Sequence, residues 1–393
     1  MENKCFNGAY FVHVVTSYGC FRCSDCIKYV CCLNVLSVNN RGAFTGPNLG
    51  ARKLRIWDKS LRTAAEIQAE PRIHYPILGY HKAGAQTLER VLAHGNPLSP
   101  VLAEIPENAG TLVLPINLPP EFSDVFFANA VKNRKRMITI GAFYTTLPML
   151  LGLIWVSIAE LMAIIAILAG AMFSYLLLDY YSVFRKHEDL AERCTYYGWI
   201  FSCCRPYLII TIVFFLASGI AQFMLGGDEF LDQYGMYFDL PDNEYYRIFS
   251  GSLVHSQVAH YLANFSYAIA VAAICGPSLR MSFVPLFLIG GTASFGMTLL
   301  IEPYLDYPDS LGLVGTSGGI AALLGGLIVL ILKNPASYPK GLFYTIGFFF
   351  LLGFGLTTFF TSIISLSCHL FGAAAGLIWG SFLPDYLSAK TAE

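Results

Sequence analysis

The sequence predicts an all-α fold, a polytopic bundle of helices in a membrane. Hydrophobic residues make up 55% of the 393 residues and charged residues 13%, against about 25% charged in a typical soluble domain. Eight apolar segments are long enough, or nearly so, to cross a hydrocarbon core about 30 Å thick as helices. The formal net charge of −1 gives no reason to expect nucleic acid as a partner.

All eight predicted spans follow Arg136. We assign helices rather than strands because a helix satisfies its own backbone hydrogen bonds in lipid. The first two spans are joined by a short turn around Glu160 and form a hairpin. Numbered one to eight, the spans run over residues 137–157, 161–178, 207–225, 257–275, 283–301, 313–332, 341–361 and 363–383.

Basic residues predict the orientation of these spans. Lys and Arg cluster before span one and between spans two and three, and one or two of them follow each of spans four, six and eight. The alternate loops carry acidic residues, with Arg247 as the exception. Because basic residues favour the cytoplasmic side, we expect both termini in the cytoplasm and the loop 226–256 on the exoplasmic side.

The same patterns divide the chain into five parts. A cytosolic N-terminal region precedes the hairpin, and a cytosolic connection separates the hairpin from the helical core. A short cytosolic tail follows the core. The parts are 1–133 (N-terminal region, Cys-rich at its start), 134–181 (transmembrane hairpin), 182–206 (connection), 207–385 (core) and 386–393 (tail).

Unusual polar residues stand near the starts of three spans that enter from the exoplasmic side. Span six opens with the letters GTSG, which include Ser317, and span eight holds His369. Span four holds His260 and Asn264, which share one helical face because they are four residues apart. With a rise of 1.5 Å per residue, Ser317 and His369 lie roughly 6–9 Å along their helices. The topology therefore places the two side chains at similar depth.

These residue types fit nucleophilic catalysis. Serine is a weak nucleophile that needs a base within hydrogen-bond reach, and histidine suits that role near neutral pH. His260, Asn264 and the first backbone amides of span six are donors for an oxyanion. A lone membrane serine usually bonds to its own helix, and a lone histidine can be a metal ligand or proton relay. The combination on three spans favours a catalytic site.

Glycines on spans six and eight favour close packing of these two helices. Gly372, Gly376 and Gly380 repeat at intervals of four residues on span eight, and Gly315 and Gly319 do so on span six. A single G-x-x-x-G pattern is most often a packing motif and no more. Here the same packing would bring the backbones that carry Ser317 and His369 close together.

The motifs resemble those of the rhomboid family of intramembrane serine proteases. The resemblance covers residues 207–383: GTSG is similar to the family's G-x-S-G, and HYLAN to its H-x-x-x-N. It implies a six-helix core, a dyad of Ser317 as nucleophile and His369 as general base without an aspartate, and an oxyanion site from His260 and Asn264. We expect no cofactor for catalysis. The supporting positions that the resemblance adds are Gly315, Gly318, His255, Arg247, Gly372 and Gly376.

One position departs from the family pattern. Many rhomboids carry an aromatic residue four positions after the catalytic serine, where its ring stacks on the catalytic histidine. In this chain that position is Ala321. Another group must therefore orient His369, or the Ser–His pair is held more loosely.

Cysteines crowd the start of the N-terminal region. Cys20, Cys23 and Cys26 are spaced three residues apart, and with Cys31 they supply enough ligands for one tetrahedral, structural zinc ion. The spacing does not match two C-x-x-C knuckles separated by a usual loop. Free thiols are therefore the alternative to zinc.

The resemblance predicts a serine endopeptidase that cleaves single-span transmembrane proteins in the lipid bilayer. The alternative is a catalytically inactive rhomboid-like protein that binds client membrane helices. Retention of both Ser317 and His369 favours the protease, because function resides in the site rather than in the fold. A transporter with His260 and His369 as proton relays is disfavoured, since inverted repeats are not apparent in the sequence.

Overall fold

A computed structural model gives the arrangement of the chain in two compact units. One unit comprises residues 1–133, 186–203 and 387–393, and the other comprises 134–185 and 204–386. The predicted zinc ligands Cys20, Cys23, Cys26 and Cys31 lie outside the described residues, so the zinc site stays a prediction. The structure describes residues 63–64, 73–75, 79–81, 91–96, 102–104, 111–117, 120–155, 159–238, 243–304, 312–355 and 363–384.

The first unit contains a small antiparallel sheet, which the all-α prediction did not include. Its strands are two or three residues long, too short for an alternating apolar pattern to appear in the sequence. The strand order in the sheet is β1-β5-β4-β2-β3. The strands are β1 (Thr63–Ala64), β2 (Ile73–Tyr75), β3 (Gly79–His81), β4 (Leu102–Glu104) and β5 (Thr111–Val113).

Two long helices correspond to the predicted hairpin. Helix α1 (Pro120–Ile154) begins well before residue 137, because the polar residues ahead of the apolar segment continue the same helix. Helix α2 (Ala159–Asp179) follows it. Arg134 Nη2 lies 2.8 Å from an Oδ atom of Asp179, whose side chain is fully buried. This ion pair ties the end of α2 to α1.

A set of apolar helices forms the remainder of the second unit. Each predicted core span overlaps one of them, and two are extended by a π-helical turn. Short elements occupy the loops between them, including the strand pair β6 (Met236–Tyr237) and β7 (Gly312–Leu313). After α3 (His187–Cys203) of the first unit, the helices are α4 (Arg205–Gly219, with π turn Ile220–Gly226), α5 (Gly227–Tyr234), α6 (Arg247–Gly251), α7 (Val258–Leu279), α8 (Phe283–Ile301), α9 (Ser317–Lys333), α10 (Leu342–Phe350, with π turn Leu351–Gly355) and α11 (Ile363–Phe382).

Several helical stretches among the described residues are long and apolar enough to cross a membrane. There are five of them, and one contains both α7 and α8. Two further apolar stretches, Ser317–Lys333 and Leu342–Phe354, are shorter. The chain is therefore an integral, multi-pass membrane protein, while the count of eight spans stays a prediction. The five stretches are Phe122–Ile154, Leu161–Phe184, Arg205–Met224, Val258–Ile301 and Ser365–Phe382.

Helices α9 and α11 pack with their backbones in contact. A Cβ atom added at Gly372 would lie closer than 3.0 Å to the carbonyl oxygen of Gly318. One added at Gly376 would meet the carbonyl oxygen of Ala322 in the same way. Real Cβ atoms essentially never come so near a backbone atom, so this helix pair requires glycine at both positions.

Candidate active site

Ser317 and His369 lie within hydrogen-bond distance of each other. Ser317 is the first residue of α9, and its Oγ is 2.8 Å from Nε2 of His369 on α11. His369 is buried, whereas Ser317 keeps partial exposure. Gly318 follows the serine directly and Gly372 lies three residues after the histidine, so the backbone contact between α9 and α11 runs beside this pair.

The turn before α9 holds the serine at the helix N-terminus. Gly315 has φ of 120°, a conformation that residues with a Cβ rarely adopt. Its backbone N–H donates to the carbonyl of Gly251 at 3.1 Å, which anchors the turn to α6. The first amides of a helix have no acceptor within the helix, so those of α9 are available to another oxygen.

His260 and Asn264 of α7 converge on Gly315. A Cβ added at Gly315 would lie 3.0 Å from Nε2 of His260 and 3.2 Å from Nδ2 of Asn264. Asn264 is buried, and its Nδ2 has no hydrogen-bond partner among the residues that the structure describes. An unpaired buried donor costs about 1–3 kcal/mol. One imidazole nitrogen and one amide nitrogen therefore lie beside Gly315, two residues before Ser317.

His255 lies in the loop before α7 and is fully buried. Its Nε2 is 3.5 Å from Oγ1 of Thr316, the residue that precedes Ser317. Its backbone is held twice by Gln222: the His255 N–H donates to Oε1 at 2.9 Å, and Nε2 of Gln222 donates to the His255 carbonyl. Burial lowers the pKa of His255 to about 3, and His260 acts in the same direction. The ring is therefore neutral at physiological pH.

Arg247 bonds within the long loop between α4 and α7. It forms an ion pair with Glu244 and donates to the backbone carbonyls of Asp232 and Gly235. The ring of Tyr246 lies near its guanidinium, with 5.9 Å from Cζ to the centroid. These contacts order the loop, and none of them is to Ser317 or His369.

Gly318 packs against a third helix. A Cβ added there would overlap Oγ of Ser294 on α8 and lie 3.6 Å from Sγ of Cys368. Ser294 donates to the Gly291 carbonyl at 2.7 Å, and its Oγ is 3.4 Å from Sγ of Cys368. Helices α8, α9 and α11 thus meet at the residue that follows the serine.

A phenylalanine ring lies against His369. The centroid of Phe354, on the π turn after α10, is 4.4 Å from that of the imidazole. Ala321, whose position holds a ring in many rhomboids, is fully buried here. Phe354 was missed in the sequence because it stands in a run of phenylalanines and leucines. Gln222 was missed too, although it is the one carboxamide in span three.

The arrangement contains the groups that acyl transfer needs. A hydroxyl lies beside an imidazole, and the side-chain nitrogens of His260 and Asn264 lie beside Gly315, two residues before the serine. The described parts of the chain hold no group of three or more His, Cys, Asp or Glu side chains suited to a metal ion.

Comparison with known proteins identifies the domain that contains these residues. The family model of the Rhomboid domain matches residues 242–385, a range that includes Ser317, His369, His260 and Asn264. A search of curated proteins gives no match. Residues 242–385 of the chain therefore form a Rhomboid domain.

Proposed function

We propose that the chain is an intramembrane serine endopeptidase that cleaves transmembrane proteins with a Ser317–His369 dyad. The observation that carries the proposal is the 2.8 Å distance between Oγ and Nε2. In the proposed reaction Nε2 takes the hydroxyl proton while Oγ bonds to the scissile carbonyl carbon. The same nitrogen then gives that proton to the leaving amine, and water hydrolyses the acyl-enzyme.

The oxyanion of this reaction forms in the space beside Gly315. Nε2 of His260 and Nδ2 of Asn264 border that space. The first amides of α9 add further donors, and the positive end of the helix dipole favours the charge. Donors that are fixed before the reaction stabilise the transition state because they need no reorganisation when the charge develops.

The proposed substrates are single-span transmembrane proteins. The alternative is a catalytically inactive protein that binds client membrane helices through the same core. An intact Ser–His pair is not needed to bind an apolar helix, and polar groups are costly at membrane depth. Retention of the pair therefore supports the protease over the inactive binder.

A cleavage assay on the purified full-length chain tests this proposal. We expect the wild type to cut members of a panel of single-span substrates and Ser317→Ala to cut none, because the nucleophile is lost. Ser381→Ala removes an exposed hydroxyl from the end of α11 and is expected to cleave like the wild type. Binding of substrates without cleavage, equal in wild type and Ser317→Ala, would instead identify an inactive binder.

The proposed orientation has both termini in the cytoplasm. It rests on the excess of Lys and Arg at the predicted cytoplasmic ends of the spans. Reporter fusions after residues 133 and 393 are expected to report the same side, opposite to a reporter placed in the loop 226–256. Termini found on opposite sides would mean that the number of spans is odd, and the shared depth of Ser317 and His369 would lose its basis.

A further inference from the structure

The proposed base lacks the usual carboxylate partner. Nδ1 of His369 is buried without a hydrogen-bond partner in the part of the chain that the structure describes. The torsion that rotates an imidazole about its Cβ–Cγ bond is broad, so it does not by itself fix the ring plane. Something other than a hydrogen bond at Nδ1 must keep Nε2 directed at Ser317.

We propose that Phe354 is the positioning residue for His369 and that its ring fixes the plane of the imidazole. The inference rests on the proposed protease function. The two ring centroids are 4.4 Å apart with 40° between the planes, and Phe354 is 1% exposed. At this distance the phenyl ring blocks rotation of the imidazole toward α10, which leaves the orientation that faces Ser317.

The backbone around Phe354 explains how a residue of α10 reaches the histidine. Residues Leu351–Gly355 form a π turn, which adds a residue to the helical turn and is frequent at functional sites. Ala321, fully buried on α9, has no ring with which to contact the imidazole. The aromatic face thus comes from a different helix than the nucleophile.

Tyr267 of α7 supports Phe354 from behind. Their ring centroids are 5.4 Å apart at 84°, an edge-to-face arrangement. The Tyr267 hydroxyl donates to the carbonyl of Phe349, and a Cβ at Gly353 would overlap the Tyr267 ring. These contacts hold the π turn against α7. The phenyl ring of Phe354 therefore cannot move away from His369 without breaking them.

Phe354→Leu tests the inference, because leucine keeps apolar volume but has no flat face. We expect kcat to fall roughly 10–10²-fold, the range for a slightly misplaced catalytic group. KM should change little, since the ring of Phe354 is buried against His369. Labelling of Ser317 by a fluorophosphonate should slow by a similar factor. Phe354→Tyr restores a flat ring and is expected to keep most of the wild-type rate.

Phe348→Leu is the matched control. Phe348 lies on the same helix, but its ring stacks on Tyr175 of α2, with centroids 4.5 Å apart. The Phe348→Leu variant should be labelled by the fluorophosphonate and should cleave substrate at the wild-type rates. Both rates are normalised to the fraction of protein whose Ser317 can be labelled. The positioning role would be overturned if Phe354→Leu kept the wild-type kcat, or if Phe348→Leu lost as much activity as Phe354→Leu. It would also be overturned if Phe354→Tyr lost as much activity as Phe354→Leu. A wild type that neither labels nor cleaves would overturn the proposed function itself, and this inference with it.

Discussion

Replacing His369 with alanine is expected to lower the cleavage rate roughly 10²–10⁴-fold, the contribution typical of a general base. Ser317 loses the Nε2 atom that lies 2.8 Å from its hydroxyl, and no other imidazole is bonded to that hydroxyl in the described structure. Fluorophosphonate labelling of Ser317 should fall with cleavage, because both reactions need the same activated oxygen. The measurement compares both rates in wild type and variant at equal folded protein.

Two further variants separate the base from the rest of the side chain. His369→Gln keeps polar bulk and a hydrogen-bonding amide near Ser317 but cannot take a proton, so it should be about as inactive as His369→Ala. His94→Ala removes an exposed imidazole from the first unit and should leave both rates unchanged. Undiminished labelling in His369→Ala would remove this residue from the base role.

Replacing Asn264 with alanine is expected to cost roughly 10²–10³-fold in turnover, the usual effect of losing one oxyanion donor. The loss should fall on the chemical step, because the donor bonds most strongly when charge develops on the carbonyl oxygen. Nδ2 is unpaired in the described structure, so its removal also relieves the burial of an unsatisfied donor. We therefore expect the melting temperature to stay the same or rise while activity falls.

This opposite movement of activity and stability distinguishes a catalytic role from a structural one. If Asn264 instead links α7 to α9, the melting temperature should fall along with activity. Asn264→Asp keeps the size of the side chain but replaces the donor with an acceptor, and it should be at least as inactive as Asn264→Ala. His260→Ala should do comparable harm. Full activity of Asn264→Ala would exclude it from the oxyanion site.

Much of the site could be predicted because its signals are local in the sequence. Ser317 stands in a four-residue motif, and His260 and Asn264 share a helical face by their spacing. Depth along the helices then predicts that Ser317 and His369 share one leaflet, and the structure brings their side chains together. The roles of these residues stay proposals that the variants above test.

Other features depend on contacts between distant segments. Phe354 reaches His369 because a π turn rotates α10, and no periodicity in a run of apolar residues reveals such a turn. Gln222 holds the backbone of His255, which lies 33 residues later. The strands of the first unit are so short that only their partners define them. Tertiary geometry, rather than local pattern, decides each of these cases.

The backbone contact between α9 and α11 has a consequence for how this protein can diverge or be engineered. Every side chain larger than hydrogen at Gly372 or Gly376 would push main-chain atoms of the partner helix apart. The separation of Ser317 and His369 is therefore set by backbone atoms, which a side-chain substitution cannot remove. Under the proposed protease function, altered substrate preference is expected to come from residues away from these contacts, while Gly372 and Gly376 stay closed to variation.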